Sequence, residues 1–202
     1  MNITELFELS LAAALANNIV LSRFLGICPT LGVAKKLPGA TGMGLAVTLI
    51  MSVAAIITWS LNVLVLVPAG LTYFRLLVFV LVIAALVQAA EIAVLYFSPR
   101  LYRSLGVYLP MITTNCAILG LTLVNADANP VTGAPFTSVE AFVNGLASGA
   151  GFLLVLVLMA GIREKLETAD VPKALAGTPI TLISAGLMAM AFLAFAGMGA
   201  SW

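Results

Sequence analysis

Seventeen charged side chains are spread over 202 residues, and nearly all fall between or at the ends of long apolar runs. Only Arg23 and Glu91 stand well inside a run. A soluble domain carries about 25% charged residues, whereas this chain has 8% charged and 62% hydrophobic residues. Runs long enough to cross hydrocarbon recur along the whole length, so the lipid bilayer is the solvent the chain is built for. A net charge of +1 offers nothing to nucleic acid. The absence of histidine excludes imidazole-based zinc and haem ligation and imidazole proton relays. Met1 to Glu8 holds two acids and no base, which does not read as a secretory signal.

Six spans are expected, at roughly 9–34, 41–67, 72–97, 104–124, 138–162 and 177–199. Lys, Pro, Gly, Asn and charge clusters separate them. The first, third and fifth connections carry Lys35, Lys36, Arg100, Arg103, Arg163, Lys165 and Lys173, while the second and fourth carry only Arg75. The positive-inside rule then puts the odd connections in the cytoplasm and both termini on the opposite, periplasmic side.

The first span is too long for one straight helix. Leu9 to Ala34 is 26 residues, about 39 Å of helix against a hydrocarbon core of about 30 Å. It also contains Asn17, Asn18, Arg23 and Pro29. A break is expected around Gly26 to Pro29, because proline removes a donor and disfavours helix at the residue before it, Cys28. The fourth span is interrupted similarly, with Pro110 followed by Thr113-Thr114-Asn115 and Cys116. Irregular backbone at membrane depth survives only where protein or a cavity covers it, so both cysteines are expected on buried, broken helices. Spans one and four each begin a set of three, and an odd number inverts the second set. The expected fold is therefore an all-α integral membrane protein: one domain over 1–202, with a 3+3 inverted repeat dividing near residues 99 and 100.

Cys28 and Cys116 are the only cysteines, and each opens the same word, C-x-x-L-G: Cys28-Pro29-Thr30-Leu31-Gly32 and Cys116-Ala117-Ile118-Leu119-Gly120. Three readings stand open: buried small packing residues, a disulfide, or ligation of a metal or cluster. Matching words at two helix breaks favour ligation. Two thiolates are half of what an iron–sulfur cluster usually needs, so a cluster here requires a second chain.

Other residues carry weaker signals. Arg23, a base within a span, either pairs, offsets cluster charge, or snorkels to the interface. Glu91, three residues after Gln88, is a candidate for ion or proton handling. Its alternative is an interfacial ion pair with Arg100 or Arg103. Asn17, Asn18, Thr113, Thr114 and Asn115 suit backbone groups freed at the breaks, with bonding to cluster sulfur an alternative for those nearest the cysteines. Gly145-x-x-x-Gly149 and the small residues of Ala185 to Ala200 suit close helix packing. Arg163 to Gly177 reads as a solvated cytoplasmic loop, with docking of a peripheral subunit an alternative. Gly149-x-Gly151 lacks the strand a nucleotide motif requires, and no catalytic group set or flavin or NAD site is recognisable.

The segment Asn17-Asn18-Ile19-Val20-Leu21-Ser22-Arg23-Phe24-Leu25-Gly26-Ile27-Cys28-Pro29, with Gly32-Val33-Ala34-Lys35-Lys36, resembles the first broken helix of the A-type membrane subunit family of the Rnf complex. Leu109 to Ala117, Ile162 to Leu166 with Ala169 to Pro172, and Ala185 to Met188 continue the resemblance over nearly the whole chain. The resemblance implies a bacterial inner-membrane subunit of a complex that couples electron transfer between NADH and ferredoxin or flavodoxin to Na⁺ or H⁺ translocation. It implies a [2Fe-2S] cluster held by Cys28 and Cys116 together with two cysteines of the homologous, oppositely inserted E-type subunit. Further partners would be the B, C, D and G subunits of the complex. Arg23, Pro29 and Asn115 would then lie around the cluster. The related E-type subunit of the Na⁺-translocating NADH:quinone reductase is one alternative. A stand-alone secondary transporter and a purely structural subunit are others.

Overall fold

The computed structural model describes residues 3–33, 37–97, 109–127, 135–169, 172 and 177–196. All regular elements among these residues are helices. They are α1 (Ile3–Leu11), α2 (Ile19–Arg23), α3 (Ile27–Gly32), α4 (Leu37–Leu61), α5 (Arg75–Phe97), α6 (Leu109–Thr113), α7 (Cys116–Ala126), α8 (Ser138–Glu167) and α9 (Thr178–Ala196). Two π-helical turns extend α1 over Ala12–Ala16 and α4 over Asn62–Leu66. Three helices are long and apolar enough to cross a membrane, Leu37–Leu66, Thr72–Ala93 and Ser138–Glu167, and shorter apolar helices cover Leu6–Leu15, Met111–Ala126 and Thr178–Ala194.

The centre of the molecule is an antiparallel pair, α4 against α8. Small residues recur every fourth position on both helices, so the backbones approach closely. Gly149 faces Thr48, where a Cβ would stand 2.8 Å from the Thr48 Cα. One turn along, a Cβ on Gly145 would stand 3.2 Å from the Met51 carbonyl oxygen. One turn the other way, Gly44 packs on Leu153. The pair is tied at both ends: Trp59 Nε1 donates to the Phe136 carbonyl at 2.6 Å, and the Leu37 amide donates to Glu164 Oε1 at 3.1 Å. Met43, Val47, Met51, Phe152, Val155 and Met159 fill the adjoining core.

The first span is broken twice, once earlier than expected, at Asn17 and Asn18, and once at the near edge of the expected Gly26–Pro29 break. The π-helical turn ends at Asn17, and α2 starts after Asn18. Phe24, at φ 54°, and Gly26, at φ 83°, then turn the chain through the left-handed region. Gly26 tolerates this because it lacks a Cβ; Phe24 does so at a cost. Pro29 does not sit in the break. It occupies the first turn of α3, where a missing N–H leaves no bond unmade. The fourth span breaks at Thr114 and Asn115, between α6 and α7.

Two further expectations are corrected. The solvated loop expected from Arg163 begins later, because α8 continues to Glu167. The small-residue stretch beginning at Ala185 does not pack closely throughout, since nothing lies within 4 Å of a Cβ built on Gly186. Lys35, Lys36, Arg100, Arg103, Lys173 and Ala200, each given a role by the sequence pattern, lie outside the described residues.

Candidate functional site

The two helix breaks meet. A Cβ on Gly26 would stand 3.0 Å from the Ala117 Cβ and 3.2 Å from Asn115 Oδ1, so the turn before α3 lies on the cap of α7. Helices α3 and α6 also pack on each other. The repeated word explains part of this contact, because its glycines receive side chains from opposite breaks. A Cβ on Gly32 would stand 2.7 Å from Met111 Cε, and one on Gly120 would stand 2.5 Å from Leu25 Cδ1. Each word thus ends in a socket for the other half.

Asparagines close the broken ends. Asn18 Oδ1 accepts from the Val20 amide at 3.1 Å, and its Nδ2 donates to the carbonyls of Ala14 and Gly151, each at 3.0 Å. Asn115 Oδ1 accepts from the Ala117 amide at 3.0 Å. These are N-cap bonds that satisfy donors the breaks release. Thr30 Oγ1 returns a bond to the Ile27 carbonyl at 2.6 Å within α3.

Cys116 follows directly on its Asn115 cap, in the first turn of α7, and Cys28 lies in the first turn of α3, two residues after Gly26, which caps that helix without a side-chain bond. Both are free thiols, and both are exposed on this chain. Their expected burial is corrected here: the break residues around them are buried, with Asn115 at 4% and Ala117 at 0% exposure, while the thiols point outward. Buried packing cysteines are not what this arrangement provides. Asn115 Nδ2 is also buried and has no hydrogen-bond partner, which marks an unsatisfied donor one residue from Cys116.

An iron–sulfur group shared with a second chain fits these residues. The donor set is two outward thiols on abutting half-helices, and thiolate is the usual ligand of such clusters. Among the described residues, no group of three or more His, Cys, Asp or Glu side chains converges. The chain would therefore contribute two ligands and not four.

The other sequence candidates are dispersed. Arg23 ends α2, is exposed, and borders a cavity of about 30 Å³ with Asn17, Asn144 and Ser148; neither cysteine lines it. Nearby, Asn144 Nδ2 donates to Asn125 Oδ1 at 2.6 Å and Asn125 Nδ2 to the Ala141 carbonyl at 3.4 Å. Sequence reasoning passes over these two buried asparagines, although an amide within an apolar run is itself a signal. Pro29 is buried in α3. Glu91 is half-buried on α5 and engaged by a partner. Sequence reasoning also misses Arg163 as a site residue: its Nη1 donates to the Leu31 carbonyl at 2.7 Å, at the end of the helix that carries Cys28.

The family model described as Rnf-Nqr subunit, membrane protein, matches residues 6–199. The chain belongs to the Rnf-Nqr family. Within it, the chain is 51% identical over 193 residues to the A component of the Na(+)-translocating ferredoxin:NAD(+) oxidoreductase complex of Acetobacterium woodii, covering 96% of this chain and 97% of that one. It is 48% identical over 195 residues to the A component of the ion-translocating oxidoreductase complex of Serratia proteamaculans, covering 96% and 98%. The same figures hold for the A component of Yersinia enterocolitica. Rnf-Nqr membership and this full-length similarity agree with the long motifs around both cysteines.

Proposed function

We propose that this chain is the A-type subunit of an ion-translocating ferredoxin:NAD oxidoreductase, and that Cys28 and Cys116 hold half of a [2Fe-2S] cluster shared with the homologous E-type subunit. The observation that carries the reading is the pair of outward thiols on two half-helices whose breaks touch. The three relatives named above are all A components of ion-translocating oxidoreductases, which favours this over the quinone-reductase subunit.

The reading includes six spans in a 3+3 inverted repeat, placed in the bacterial inner membrane with both termini periplasmic. Two observations support it. Helices α4 and α8, the second members of the two sets, are antiparallel, as inversion requires. Arg75 and Asp127, from the second and fourth connections, form an ion pair at 2.8 Å, as expected if both connections share a face.

When bound, the cluster supplies one-electron exchange within the hydrocarbon layer. The chain's own part is to hold and orient. Cys28 and Cys116 would hold the iron through their thiolates. Gly26 lets the two breaks close on each other. Asn18 and Asn115 keep the half-helix starts hydrogen-bonded where water is excluded. A change of charge held between two subunits in hydrocarbon is costly. Rocking one set of half-helices against the other would open the site to alternate sides and would couple electron flow to Na⁺ or H⁺ movement. The NADH and flavin sites belong to other subunits of the complex.

The test is electron paramagnetic resonance of the purified, reduced complex with Cys28→Ser or Cys116→Ser. Either substitution should remove one [2Fe-2S] signal and ion transport while the membrane subunits still co-purify. Wild-type signal and wild-type NADH–ferredoxin turnover in Cys28→Ser would refute the assignment.

A further inference from the structure

We infer that Arg163 and Glu164 are a positioning pair for Cys28, acting through the ends of the first connection; the inference rests on the cluster reading above. Helix α3 has six residues. So short a helix is not stable by its own hydrogen bonds and depends on tertiary anchors. Its last carbonyls are also left without intrahelical donors. The Arg163 guanidinium supplies one: Nη1 donates to the Leu31 carbonyl at 2.7 Å, across 132 positions of sequence. Leu31 is three residues after Cys28, on the same side of α3.

The next residue in sequence makes the complementary contact. Glu164 Oε1 accepts from the Leu37 amide at 3.1 Å, at the first residue of α4. A cation thus stands at the C-terminal end of α3 and an anion at the N-terminal end of α4. Each has the sign that helix end prefers. Two consecutive side chains of α8 therefore pin both ends of the short connection that follows the Cys28 helix. Because α8 also packs along α4, the pin refers Cys28 to the central helix pair.

Cys116 is held by other means, among them the Arg75–Asp127 ion pair at the end of its helix. Helix α7 has 11 residues, an Asn115 cap, and buried Ala117, Ile118 and Leu121. Arg163 should therefore control the geometry of Cys28 and leave that of Cys116 unchanged. A general stabilising residue would not discriminate between them.

Hydrogen–deuterium exchange and electron paramagnetic resonance of the purified complex test this with Arg163→Gln, Arg163→Lys and Glu164→Gln. In Arg163→Gln, amide exchange across residues 29–33 should rise about tenfold, as expected for losing a bond to a charged group. Exchange across 117–126 should stay at the wild-type level. The reduced-cluster resonance should change its line shape without disappearing. Arg163→Lys should recover both readouts in part, because an ammonium reaches the carbonyl without the planar fork. Glu164→Gln should raise exchange at the start of α4 more than in α3. Unchanged exchange over 29–33 in Arg163→Gln overturns the inference, and so does an equal rise in both half-helices. If Arg163→Gln does not assemble, Arg163→Lys decides: wild-type exchange over 29–33 with an altered resonance overturns the inference. A wild-type complex with no Cys28-dependent resonance is a separate failure, of the cluster reading itself, and is seen before any Arg163 variant is compared.

Discussion

Gly26 and Asn115 form the joint between the two broken helices: a side chain at position 26 would have to share space with the amide that caps the helix of Cys116. Gly26 has φ 83°, so an L side chain there is strained even before it meets its neighbours. Gly26→Ala should cost about 1–3 kcal/mol from left-handed strain and overpacking. Thermal unfolding of the detergent-purified complex measures it. A variant as stable as wild type, with an unaltered cluster resonance, would show that the joint is looser than described.

Asn115 separates two roles in one side chain. Its Oδ1 caps α7, while its Nδ2 is buried without a partner. Asn115→Ala loses the cap and should destabilise by about 1 kcal/mol. Asn115→Ser keeps a cap acceptor and removes the unsatisfied donor, so it should lie within about 0.5 kcal/mol of wild type. Chemical denaturation of both variants gives the comparison. A serine variant as damaged as the alanine variant would mean that Nδ2 is engaged in the assembled complex.

Glycine positions on α8 and α9 should respond oppositely. At Gly149 a Cβ would meet the Thr48 backbone, which cannot move aside without parting α4 from α8. Gly149→Val should therefore cost several kcal/mol, at least the roughly 1–3 kcal/mol of ordinary overpacking, and should lower the yield of assembled complex. Gly186 faces open space within this chain, and Gly186→Ala should be neutral or stabilise α9 by up to about 1 kcal/mol. A reversal of this order in melting temperature would contradict the packing of the central pair.

The Arg75–Asp127 pair reports topology more than stability. Side-chain exposures of 22% and 72% place it near the surface, where such a pair contributes about 0–1 kcal/mol. Arg75→Cys and Asp127→Cys should both react with a membrane-impermeant maleimide added to the periplasmic side, and Glu167→Cys only from the cytoplasmic side. Labelling of positions 75 and 127 from opposite sides would remove the six-span arrangement.

The parts of this molecule set by solvent preference are readable from the sequence. Long apolar runs, the breaks near both cysteines and the small-residue spacing at Gly145 and Gly149 all carry a local signal. What escapes is set by contacts between distant segments. Phe24 has no residue-type signature for a left-handed turn, so local chemistry puts the break over Gly26 to Pro29, of which Gly26 lies in the turn and Pro29 is accommodated in the first turn of α3. Arg163 reads as a loop charge because nothing local indicates a carbonyl 132 positions away. The partners of the α8 glycines, Thr48 and Met51, carry no label until α4 is laid antiparallel. The outward direction of the thiols is hidden too, because sequence position gives depth along a span but not direction around it.

The α4–α8 seam limits how this protein can move. Glycine on one helix meets backbone on the other at successive turns, so a slide of one or two residues would drive Leu153 or Thr48 into main chain. Close-packed interiors do not deform continuously. The seam therefore behaves as a keel: it permits tilting of the short segments hung on either side and forbids shear along its own length. Among the described residues, the breaks at Asn18, Gly26 and Asn115 are where the short segments beside the seam can tilt without disturbing it.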